Sequence, residues 1–76
     1  MRNYTNVICI DEEGTVNENK LYMGKKAVMK AELHFAKRVR ELNETIEKDL
    51  IEDALDEGIY KYNNRAVFLS HPDVKK

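Results

Sequence analysis

Between Lys25 and Glu57 the chain has no glycine and no proline, the two residues that most reliably interrupt a helix. The three glycines, Gly14, Gly24 and Gly58, stand far apart, which excludes a glycine-rich loop that cradles phosphate. A single cysteine, Cys9, rules out an internal disulfide, and no histidine or second cysteine lies at metal-ligand spacing from it. No apolar run approaches the roughly 18 residues of a membrane span. The opening MRNYTNVICIDEEG lacks the charged head, long apolar core and small-residue cleavage site of a secretory signal. The expectation is a cytoplasmic protein without membrane contact, cofactor or metal.

At 76 residues the chain makes one domain, 1–76, and a domain of this size buries only about 60% of the surface its unfolded chain exposes. A homodimer is the expected remedy. Charged residues at 36% stand against hydrophobic residues at 42%, too apolar and too regularly patterned for a disordered chain.

Val7–Ile10 (VICI) reads as a buried strand ending in the turn Asp11-Glu12-Glu13-Gly14. In the next segment Thr15 and Glu18 fit a capping box, but Lys20–Met23 also fits the second strand of a hairpin, which is preferred. Lys25–Glu57 favours helix throughout, yet at ~1.5 Å per residue one helix would run about 50 Å, too long for so small a domain. Val28, Ala31, Phe35, Val39 and Leu42 share one face at 100° per residue, whereas Ile46, Leu50, Ile51, Ala54 and Leu55 cluster about a quarter turn away. This offset predicts a kink or break near Asn43, with Asn43 as N-cap of the second segment; one bent helix is the alternative. Gly58 suits a helix end. Beyond it, IYKY-NN-RAVFL is a hairpin on a type I′ turn. Its register puts Ile59, Ala66 and Phe68 on one face and Tyr60, Tyr62, Arg65, Val67 and Leu69 on the other, so one apolar face is available to a partner. His71-Pro72 ends the strand, and the last residues read as a tail. The fold class is α+β: a short N-terminal strand or hairpin, a long kinked helix or two helices, and a C-terminal β-hairpin packed on the helix.

Covalent catalysis needs a nucleophile, a base and a group that orients it, or else a metal with several ligands. His34 and His71 have no histidine or cysteine at i+3 or i+4; His34 reads as a surface or boundary residue and Cys9 as a small core residue. The carboxylate pairs Glu52-Asp53 and Asp56-Glu57 fall on a solvated helix, whereas paired-acid catalysis requires one acid desolvated in a cleft. The turn Asp11–Gly14 lacks the alternating ligands of a calcium loop. An enzyme is not expected.

The net charge of −1 conceals two opposite blocks. Lys20–Arg40 holds seven bases against Glu32, a local +6; Glu41–Glu57 holds eight acids against Lys48, a local −7. Asp49, Glu52, Asp53 and Asp56, at i, i+3, i+4 and i+7, form one acidic stripe opposite the apolar face. Asp49–Asp53 and Glu52–Asp56 are like-charge i, i+4 pairs that each cost on the order of 0.2–0.5 kcal/mol; Glu44–Lys48 is the one helpful pair. Such a stripe can be solvated, neutralised by the basic block of the same or a second chain, or presented to a basic surface in imitation of nucleic-acid phosphates. The basic block with the hairpin as a wing suggests instead a small DNA-binding regulator. A purely structural homodimer is a third reading.

The shortness of the chain, its Lys/Glu/Asn-rich composition and the acids Asp49, Glu52, Asp53 and Asp56 resemble the small host-takeover proteins that large lytic bacteriophages, including those of Bacillus, make early in infection. The resemblance is one of general character, carried by no motif. It implies a host-inhibitory protein in the bacterial cytoplasm, in some cases a DNA mimic acting on RNA polymerase, a nuclease or a histone-like nucleoid protein. The basic segment 20–40 departs from the composition usual in DNA mimics. The expected function is a non-enzymatic inhibitor that docks the stripe on a basic, nucleic-acid-binding host protein, with Tyr60, Tyr62 and Arg65 adding contacts.

Overall fold

A computed structural model describes residues 4–70; the expectations for His71 and the tail lie outside them. Six elements follow one another: strands β1 (Tyr4–Ile10) and β2 (Val16–Met23), helices α1 (Ala27–Leu42) and α2 (Lys48–Glu57), and strands β3 (Ile59–Tyr62) and β4 (Arg65–Ser70). The strands form one antiparallel sheet in the order β2-β1-β4-β3. The two hairpins therefore meet along β1 and β4, and the α+β architecture with a broken helical segment and a C-terminal hairpin is the one expected.

The first hairpin is longer than VICI suggested, because β1 begins at Tyr4 and β2 begins at Val16. Its turn is organised by Asp11, whose Oδ1 accepts from the backbone N–H groups of Glu13 and Thr15 at 3.0 and 2.9 Å. Such side-chain bonding is the usual reason for aspartate at a turn. The register shifts between Cys9 and Ile10, so that Cys9 faces Glu18 and Ile10 faces Val16. This bulge puts Val16 on the same side of the sheet as Ile10. At the second turn Asn63 and Asn64 take φ values of 53° and 65°, the left-handed geometry of a type I′ turn.

α1 buries Ala27, Ala31, Phe35, Ala36 and Val39, a stripe of i, i+4 steps. Val28, expected on that stripe, is instead exposed, because the buried row starts one residue earlier, at Ala27. The break falls where expected, but Asn43 is the C-cap of α1, not an N-cap: its N–H bonds Val39 O at 3.0 Å, and its backbone is extended. Its side chain is used on the opposite strand, donating from Nδ2 to Tyr60 Oη at 3.1 Å. Glu47 precedes α2, so Glu44 lies in the connecting loop and the helical pair Glu44–Lys48 does not form. α2 ends at Gly58 with φ 77°. A Cβ there would lie 2.8 Å from Leu69 O, and Leu69 N–H donates to Gly58 O at 2.9 Å.

Both helices lie on one face of the sheet. The core joins Val7 of β1, Val67 and Leu69 of β4, Phe35 and Val39 of α1, and Ile51 and Ala54 of α2. Leu50 is half exposed and takes no part in it. The cross-strand pairs place Ile8, Ile10, Ile59, Ala66 and Phe68 on the other face, where no element of the described residues covers them. Among the described residues no helix is long and apolar enough to cross a membrane.

Candidate functional site

The alternation of β2 aims Glu18, Lys20 and Tyr22 toward α1, whose own spacing aims Lys30, His34, Lys37 and Arg38 back toward β2. A polar chain results. Arg38 Nε donates to Glu18 Oε1 at 2.8 Å and Nη2 to Oε2 at 3.1 Å, a two-point contact. His34 Nε2 lies 3.0 Å from the same Oε1, and His34 Nδ1 lies 3.0 Å from Tyr22 Oη. Since Glu18 as a carboxylate can only accept, His34 Nε2 is the donor to it, and Nδ1 shares the second hydrogen bond with the Tyr22 hydroxyl. Cys9 Sγ donates to Glu18 at 3.5 Å, and Arg38 Nη1 donates to Glu41 at 3.0 Å.

These contacts set the local proton chemistry. The Arg38 guanidinium, helped by His34 and Cys9, holds the Glu18 carboxyl at about 2 against an ordinary 4.5, outweighing the desolvation that opposes it. Glu18 in turn raises Arg38 further. Burial, then the hydrogen bond to Glu18, pushes the Cys9 thiol up to about 11, so Cys9 is a protonated thiol at neutral pH, the unreactive form. His34 is more buried than a surface residue, with its side chain 11% exposed. Sequence spacing could not reveal this chain, because Glu18 and His34 are sixteen positions apart and meet only once β2 and α1 are packed. Around it Lys20, Lys30 and Lys37 line a shallow groove of about 580 Å³. Of the seven bases between Lys20 and Arg40, only Arg38 enters an ion pair among the described residues.

On the other side of the molecule α2 exposes Asp49, Glu52, Asp53 and Asp56, on the side of the helix away from buried Ile51 and Ala54. None of the four has an ion-pair partner among the described residues. The basic block therefore does not neutralise the stripe within the chain. Asp53 lines a groove of about 490 Å³ with Leu50, Glu57, Ile59, Tyr60 and Lys61. Tyr60 stacks on Tyr62 with ring centroids 6.3 Å apart, and Tyr62 is paired across the hairpin with Arg65. Arg65 reaches back to Glu12 at 3.7 Å. Thus Asp53, Tyr60 and Tyr62 form one continuous patch, while Arg65 is partly engaged by the first hairpin. The exposed Leu50 beside Asp53 was assigned to the apolar face in the sequence; on the folded chain it adds an apolar contact to the acidic surface.

Among the described residues no group of three or more histidine, cysteine or acidic side chains is arranged to hold a metal ion. No protein-family model, no curated protein and no solved structure matches this chain.

Proposed function

We propose that the protein is a non-enzymatic, homodimeric inhibitor, phage-encoded and acting in the bacterial cytoplasm, that docks α2 on a basic surface of a host nucleic-acid-binding protein. The observation that carries this reading is the exposure of Asp49, Glu52, Asp53 and Asp56 with no ion-pair partner among the described residues. Carboxylates fixed on a helix at ~5–6 Å spacing offer a cationic groove a line of charge like that of a phosphate backbone. Leu50 and the stacked Tyr60 and Tyr62 supply adjacent surface of the kind that anchors interfaces.

Direct DNA binding is the second reading, and the groove lined by Lys20, Lys30 and Lys37 favours it. The groove lies along β2, at the sheet edge opposite β3, so what supports this reading is the lysines, not the hairpin as a wing. The test is a pull-down from bacterial lysate with the wild type and with an Asp49→Asn/Glu52→Gln/Asp53→Asn/Asp56→Asn variant. The wild type is expected to retain a basic protein that duplex DNA displaces, and the variant to lose it. Equal recovery by both sinks the mimic, and a salt-sensitive gel shift of duplex DNA by the protein alone replaces it with the second reading.

A further inference from the structure

The uncovered face of the sheet carries almost no charge. Its central row runs across four strands, Asn19–Ile8–Phe68–Ile59, and the next is Val16–Ile10–Ala66–Lys61. Lys61, on the edge strand β3, is the one charged side chain in these two rows, in a chain of which 36% is charged. An antiparallel sheet with one wet face ordinarily alternates apolar inward with polar outward. Here most outward positions are apolar as well, with Asn6, Asn19, Lys61 and Ser70 as the polar ones, and Val16, Leu21 and Met23 are 53%, 48% and 58% exposed.

We infer that a second copy of this chain covers this face, the two sheets packing back to back with the helices outermost. At about 4.8 Å between strands and 3.4 Å per residue, the face spans roughly 400 Å² in projection. Two copies then cover about 800 Å² in projection, and more in accessible area because side chains stand out from the sheet, which is the low end of the range for specific interfaces. A charged partner would find a single countercharge in these two rows, Lys61 on the edge strand. A second copy finds an identical apolar surface, and a two-fold axis through the Ile8–Phe68 row makes it self-complementary. Sheets stacked about 10 Å apart with strands within about 30° leave Lys61 at the rim. The inference rests on the homodimeric part of the proposed function and is independent of what α2 binds.

Sedimentation equilibrium or light scattering over a wide concentration range tests it, with Leu21→Lys/Phe68→Thr as the variant and circular dichroism as the check of folding. The wild type is expected at twice the 8.9 kDa chain mass and the folded variant at half the wild-type value. A wild type that stays at 8.9 kDa at every concentration, or a folded variant that remains dimeric, overturns the inference. Should the variant unfold, methyl NMR of the wild type on dilution decides: Ile8, Ile10 and Ile59 are expected to shift while Ile51 does not, and the reverse overturns it. The four-site amide variant of α2 is expected to dimerise as the wild type does; its dissociation would put the interface on α2 and also overturn the inference, whatever the pull-down returns.

Discussion

On the β2–α1 side of the sheet, Glu18, His34, Arg38 and Glu41 are linked by contacts of 2.8 to 3.1 Å. On the α2 side, Asp49, Glu52, Asp53 and Asp56 make no ion pair among the described residues. In the first region half-buried charges meet across two elements and hold an edge strand to a helix. In the second, charges of one sign sit on the outside of a ten-residue helix and hold nothing within the described chain. Charge built into the architecture is thus found on the β2–α1 side, where it lies beside the unpaired Lys20, Lys30 and Lys37, whereas the α2 stripe is surface charge alone, free for a partner without loosening the fold.

The sharpest way to break this comparison is to remove what both regions share. Phe35 is fully buried and belongs to the core cluster that also holds Ile51 and Ala54 of α2. Phe35→Ala is expected to cost about 3–5 kcal/mol, the usual range for deleting a buried ring. For a domain this small that is much of its total stability. Chemical denaturation followed by circular dichroism measures it. A loss below about 1 kcal/mol would mean that the polar chain, not the core, holds α1 in place.

Next in size is the polar chain itself. Glu18→Gln takes from a half-buried Arg38 its two-point anion and leaves it Glu41 alone, and is expected to cost about 1–2 kcal/mol near neutral pH. Because the carboxyl falls to about 2 in the folded protein from 4.5, its contribution is present in full above 4.5 and disappears as pH falls from 4.5 toward 2. The gap in stability between wild type and Glu18→Gln should therefore narrow across that window. A gap that stays constant with pH would show that shape, and not charge, joins β2 to α1. A double-mutant cycle with Arg38→Gln isolates the pair.

The elements were legible in the sequence wherever the signal was local. The Asn63-Asn64 turn and the Gly58 helix end each follow from the backbone preferences of one or two residues, and the break near Asn43 from the offset between two neighbouring apolar stripes. Asn43 is not the expected N-cap because α2 begins only at Lys48; its Oδ1, the atom a cap would use, accepts from Thr45 Oγ1, and its Nδ2 goes to Tyr60, a long-range partner. Val28 and Leu50 also depart from the expectation: helical angle places both on the apolar stripes, but both are exposed and the buried positions lie one residue away, at Ala27 and Ile51. The Glu18–His34–Arg38 chain was invisible, since it depends on the strand register and on how α1 is set against β2. The acidic stripe was legible as a pattern; its lack of partners within the described chain could be read only from the fold.

The smallest expected effect separates members of the stripe that the sequence treats alike. Asp49 lies in the first turn of α2, where a negative charge is favoured by the helix dipole. Asp56 lies in the last turn, where the dipole opposes it, and it also repels Glu52 at i−4. Asp56→Asn should therefore raise stability by about 0.5 kcal/mol at low salt, whereas Asp49→Asn should leave it unchanged or lower it slightly. Both effects should fade as added salt shortens the screening length. If Asp56→Asn destabilises the protein instead, a cation must already be on the carboxylate, and the stripe would belong with the β2–α1 side as charge used by the fold. If the gain is found and partner binding is lost with it, the unfavourable charge is kept for contact with another molecule.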